Sequence, residues 1–157
     1  MSSEDSPLVV QSLIGKNNLS FYLECLNSLT SLCQEEINLL LHTDGSLDKS
    51  DIEFALNQFE VPSVSFRDTE EAKQTTLDHL EGRPNCQKLR QESLWGIEFF
   101  DPLFANPSDP ISHYVDADVL FLRPFTGLFD RSVVKDGAVF LRDTQWDAYC
   151  LRPWQLI

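Results

Sequence analysis

The sequence predicts an α/β fold: an open, mostly parallel sheet with helices on both faces, Rossmann-like in its order of elements. Two observations carry this. Short, nearly continuous apolar runs suit strands buried on both faces of a parallel sheet. They alternate with stretches whose apolar residues recur at i, i+3, i+4 and i+7, as on helices with one buried face. The second observation is where the polar clusters fall. HTDGS (42–46) and DAD (116–118) each follow an apolar run, and open α/β sheets bind ligands beyond the carboxyl ends of their strands.

Residues 1–7 are acidic and polar and are expected to form a tail; residues 8–157 are expected to form one domain. LVVQSLI (8–14) is the first strand, and 15–18 turn. The helix from Ser20, a fair N-cap, places Tyr22, Cys25, Leu26, Leu29, Leu32 and Cys33 on one face. INLLLH (37–42) is a central strand that stops in TDGS, a loop signal. Ser50 and Glu53 form a capping box for a helix whose apolar face is Ile52, Ala55, Leu56 and Phe59. Val64 to Phe66 is a third strand, and 69–80 a helix that EGRPN breaks. One further helical stretch runs from about Cys86, with Leu89, Leu94 and Ile97 on one side and Gly96 as a weak point. FDPLFANPSDP ends the helical region before the strand that carries Tyr114 and Val115. The order is β-α-β-α-β-α-α-β, which places the two polar clusters on one sheet edge. A further strand is expected at 138–141.

Composition excludes several partners. The 157 residues hold 12 Lys and Arg against 25 Asp and Glu, a net charge of −13. Nucleic-acid polymers and anionic membrane surfaces need a basic stripe. No apolar run reaches the roughly 18 residues of a spanning helix. The N-terminus has no signal-peptide character, so a cytoplasmic location is expected. Cys25, Cys33, Cys86 and Cys150 form no CxxC and read as reduced thiols. Neither they nor His42, His79 and His113 show metal-ligand spacing. His42, at a strand end, reads as structural.

Asp116 and Asp118 are the candidates for chemistry. If the strand continues through them, both point the same way; if a turn intervenes, they diverge. Two carboxylates this close raise each other's pKa unless a cation neutralises them. Mg²⁺ or Mn²⁺ suits such a pair when phosphate oxygens complete the coordination. Without a cation, the pair reads as a solvated strand end.

SFYLECLNSLTSLC, then INLLLHTDGS, then HYVDADVLF together resemble the nucleotide-sugar half of a GT-A type glycosyltransferase, a member of the nucleotide-diphospho-sugar transferase superfamily. RPNCQKLRQESLWGIEFFDPLF (83–104) is similar to the helical region before the DxD motif in bacterial members. The resemblance covers about residues 8–124. It implies transfer of a sugar from a nucleotide-diphospho-sugar donor with Mn²⁺ or Mg²⁺. It places Asp44 near the nucleobase or ribose, Asp116 at the ribose or the metal, and Asp118 as principal metal ligand. Thr43 stands where the family's DDGS loop has its first aspartate; its hydroxyl can hydrogen-bond a base or ribose but brings no charge. Arg123 is a candidate phosphate clamp, or a partner for Asp116 or Asp118. The acceptor half of such enzymes has no counterpart here. The domain is therefore expected to be incomplete at its C-terminus, to expose apolar surface beyond Leu128 and to self-associate through it.

Arg142, Asp143, Trp146, Asp147 and Trp154 are secondary candidates for phosphate, catalytic or stacking roles. Two other classes stay open. One is a degenerate, non-catalytic α/β protein of the same fold. The other is a haloacid-dehalogenase-like phosphohydrolase. In its DxDx[TV] motif the first aspartate is the nucleophile, but Leu120 stands at the Thr/Val position and the motif lies late in the chain.

Overall fold

The computed structural model describes residues 8–59, 63–106 and 111–130. The N-terminal tail, the 138–141 strand and the candidates from Arg142 to Trp154 lie outside them. The described chain runs β1 (Leu8–Ile14), α1 (Leu19–Leu32), β2 (Ile37–Thr43), α2 (Lys49–Asn57), β3 (Val64–Phe66), α3 (Thr69–His79), α4 (Pro84–Glu92), α5 (Leu94–Leu103) and β4 (His113–Tyr114). The four strands form one sheet in the order β3-β2-β1-β4, every pair parallel. β1 and β2 are the interior strands, in register from Leu8 opposite Ile37 to Ile14 opposite Thr43. This is the open Rossmann-like sheet expected, with helices on both faces.

The two faces differ in chemistry. Val10, Ile14, Leu39 and Leu41 pack with Leu26 and Leu29 of α1 in the apolar core. Alternate strand residues, Gln11 and His42 among them, turn to the other face. There the buried Gln11 amide donates to the Pro102 carbonyl of α5 (3.0 Å) and to the Ser112 hydroxyl (2.8 Å). α3, α4 and α5 join around a buried ion pair. Arg90 donates through Nε (3.0 Å) and Nη2 (2.6 Å) to the two oxygens of Asp101, and Thr76 donates to Asp101 Oδ1 (2.9 Å). Both charges are almost fully buried, so each depends on the other.

Three expectations about helix ends are corrected. α1 begins at Leu19, with Asn18 as N-cap in the left-handed region (φ 63°), so Ser20 lies inside the first turn. Asparagine tolerates that conformation better than most residues. The capping box of α2 is built by Asp48 and Asp51, not Ser50 and Glu53. Asp48 accepts from the Asp51 amide (3.0 Å), and Asp51 accepts from the Asp48 amide (3.0 Å). An aspartate two residues upstream competes as acceptor for the same orphan amides, and Ser50 instead donates to it (2.6 Å). The single stretch from Cys86 is two helices. Ser93 breaks it in extended conformation (φ −140°, ψ 137°) while its hydroxyl caps the Trp95 amide (3.2 Å).

Gly96 is what lets α5 fold back onto α4. A Cβ at this position would lie within 2.5 Å of Arg90 Cα and collide with the Leu89 carbonyl. Both are backbone atoms that cannot rotate away. Gly96→Ala is expected to cost about 1–3 kcal/mol, as overpacking does, although alanine favours helices. Urea unfolding measures it; a variant as stable as the parent would show that the α4–α5 contact yields.

Candidate functional site

Ile14, Thr43 and Tyr114 end three parallel strands, so the residues that follow them meet at one edge of the sheet. The chain winds outward from β1 through β2 to β3, then returns to place β4 on the other side of β1. The winding reverses between β1 and β4, the kind of switch point at which open α/β sheets bind ligands. Gly15 and Lys16 leave β1 there, Asp44 leaves β2, and Asp116 and Asp118 leave β4.

The DAD segment is a turn. Val115 continues the ladder one residue past β4, its amide donating to the Gln11 carbonyl (2.9 Å), while the Ser12 hydroxyl donates to the Val115 carbonyl (2.7 Å). The Asp116 carbonyl then accepts from the Val119 amide (3.2 Å). Ala117 is buried, and Asp116 and Asp118 are exposed on either side of it. The chain beyond runs along α1. The Phe121 amide donates to Ser28 Oγ (2.9 Å), and Phe125 exchanges backbone bonds with Leu32 and Gln34 (3.0 Å each). The turn is thus anchored on both sides by half-buried hydrogen bonds, and its two carboxylates face solvent at the switch point.

A third carboxylate escaped sequence reasoning. Glu98 of α5 is half-buried against Asp116; burial, then the charge of Asp116 and a hydrogen bond to it, then Asp118, raise its pKa. Tyr114 beneath is pushed up by burial, then by Glu98 and Asp116. Cys25 of α1 is pushed up by burial, then by Asp118 and Glu24. The signal for Glu98 is a lone charge in the apolar run LWGIEFF.

The TDGS loop is held by its own hydrogen bonds. Asp44 Oδ1 accepts from the Ser46 amide (2.9 Å) and hydroxyl (2.5 Å), and the Ser46 hydroxyl accepts from the Lys16 amide (2.8 Å). The carboxylate lies across Gly15, where any Cβ would strike it. Thr43 is buried; its hydroxyl pairs with that of Thr69 (3.0 Å) and accepts from the Gly45 amide (3.2 Å). The Lys16 ammonium bridges Asp51 (2.8 Å) and Asp48 (3.2 Å). Its pKa is raised, by Asp51 first. Asp48 is held below its ordinary range by its bonds to Ser50, the Asp51 amide and Lys16. Arg123 is exposed and forms no ion pair with Asp116 or Asp118.

His42 is buried. Its Nε2 pairs with Gln11 Oε1 (2.8 Å), and Nδ1 has no partner among the described residues. Burial, opposed by the charge of Asp101 and assisted by Arg67, lowers its pKa from 6.5 to about 4. The unfolded chain therefore binds the proton between those values while the folded one does not. Stability is complete above about pH 6.5 and falls as pH drops toward 4, by up to about 3 kcal/mol. Urea unfolding between pH 7 and 4.5 should show this decline, and His42→Gln should flatten it. A wild-type stability constant across that window would contradict the buried neutral ring.

A groove of about 430 Å³ lies elsewhere, over the amino-terminal half of the strands between Val9, Asn38, Leu40, Ser65 and Asn106. It contains none of the carboxylates above. Among the described residues Cys25, Cys33 and Cys86 are free thiols. No helix there is long and apolar enough to cross a membrane, and no group of three or more His, Cys, Asp or Glu is arranged to hold a metal ion. No family model, curated protein or solved structure matches this chain. The fold and the carboxyl edge alone therefore describe it: an α/β domain of Rossmann-like topology with two exposed aspartates at its switch point.

Proposed function

We propose that this chain is the donor-binding part of a GT-A type glycosyltransferase and takes the diphosphate of a nucleotide-diphospho-sugar at the carboxyl edge, through Mn²⁺ or Mg²⁺ on Asp118 and Asp116. One observation carries the reading: an anchored turn presents two exposed carboxylates where β1 and β4 part. Two acceptor-only groups suit a hard cation that shares its coordination with phosphate and water. When bound, the cation supplies charge neutralisation on the diphosphate leaving group.

The chain's own residues divide the remaining work. Asp118 is the principal ligand, and Asp116, which Glu98 backs, is the second or holds the ribose. Asp44, on its pinned loop, meets the ribose or base, and Thr43 holds that loop against α3. Arg123, exposed and unpaired with the aspartates, reaches phosphate. Calorimetry of the full chain with millimolar Mn²⁺ and a panel of nucleotide diphosphates tests the reading. Heat should be released and the melting temperature should rise, since a ligand at 100 times its Kd stabilises by about 2.7 kcal/mol. Neither heat nor shift would leave a non-catalytic domain of the same fold.

A further inference from the structure

The outward face of α5 carries Trp95, Phe99 and Leu103, 75%, 64% and 53% exposed, with Leu94 beside them at 56%. The spacing i, i+4, i+8 makes the first three one stripe. The helix has two charges and both turn inward: Asp101 to Arg90, Glu98 to Asp116. The stripe is therefore uncharged. It is also rigid, since α5 is fixed by Gly96 against α4, by the ion pair and by the Pro102–Gln11 bond. Phe99 rests edge-on against Phe100 (5.1 Å, 84°).

We propose that two copies of this chain pair through α5. The proposal stands independently of the function above. Phe99 lies at the centre of the stripe. A two-fold antiparallel contact sets Phe99 of both copies on the axis and Trp95 of each copy over Leu103 of the other, the self-complementary arrangement an isologous interface needs. The four side chains expose on the order of 500 Å², so a pairing that covers them on both copies removes at most about 1,000 Å², the floor for a specific interface. Aromatic side chains are the usual anchors of such contacts. A lipid surface fits poorly: an interfacial helix needs Lys or Arg on its polar face, and α5 has neither. The cost of pairing is repulsion between chains of net charge −13, so the dimer should tighten as salt rises. An interface held by ion pairs would do the reverse.

Sedimentation velocity on the full chain at micromolar concentrations, in low and high salt, tests this beside Trp95→Glu/Phe99→Glu and the milder Trp95→Gln. The wild type should form a discrete dimer, favoured by salt. The double variant should raise the dissociation constant at least about 100-fold with unchanged circular dichroism and a melting temperature that no longer rises with protein concentration, and Trp95→Gln should weaken pairing in the same direction. A monomer throughout, a dimer indifferent to both variants, or open-ended aggregation would overturn the proposal.

Discussion

Asp118→Ala is expected to abolish Mn²⁺-dependent binding of nucleotide diphosphates and leave the fold intact. The side chain is exposed, so its loss removes little packing, and stability should stay within about 0.5 kcal/mol of the parent. What it removes is the carboxylate on which the proposed cation would sit, and with it their mutual attraction. Asp116→Ala should weaken binding too, and also relieve Glu98 of its largest charged neighbour. Asp44→Ala should change base or ribose recognition while metal dependence persists; it also frees Ser46, so a loosened loop is part of its effect. The measurement is paired calorimetry and thermal shift on each variant. Undiminished binding by the Asp118 variant would remove the metal role from this residue, whatever else the edge binds.

Asp101→Ala is expected to be the most destabilising single change on the helical side, costing about 3–5 kcal/mol. It leaves the Arg90 guanidinium buried without its counter-charge and Thr76 without its acceptor. For a chain of this size that corresponds to roughly 10 °C or more in melting temperature. The double replacement Arg90→Met/Asp101→Leu should recover much of the loss, because two apolar side chains avoid the desolvation that a lone charge cannot. Thermal melts of the single and double variants decide it. A single variant as stable as the parent would mean the pair is not buried in solution. A double variant as unstable as the single would point to the Thr76 contact as the larger part.

The sheet was legible in the chain because its signals are local. INLLLH has the continuous apolar character of an interior parallel strand, and β1 and β3 end where Gly15 and Arg67 follow the apolar runs. The candidate edge was equally legible: TDGS and DAD follow strands that parallel pairing brings to one side. Helix ends were less so. Asp48 and Ser50 both suit an N-cap, and only the backbone path at Asp48 (φ −92°, ψ 177°) selects between them.

Other features depend on distant segments meeting, and residue type alone does not decide them. The carboxylate pair reads equally as strand or turn until the Ser12 hydroxyl and α1 take hold of the chain around it. Glu98 becomes a neighbour of Asp116 because Gly96 allows α5 to close on α4. Apolar exposure was expected beyond Leu128, most of which lies outside the described residues; the stripe found is on α5, before the strand. The sequence pattern put Leu89, Leu94 and Ile97 on the apolar side, yet Leu89 and Leu94 are exposed. Burial went instead to the face carrying Phe100 and Asp101, because the ion pair and the Pro102–Gln11 bond set the rotation of the helix. The order of elements along the chain, and the placing of the two aspartates after a strand, follow from sequence pattern; the order of the strands in the sheet follows from their tertiary pairing. The carboxylates' neighbours, and the side of α5 that meets solvent, follow from polar contacts between residues 11 and 91 positions apart.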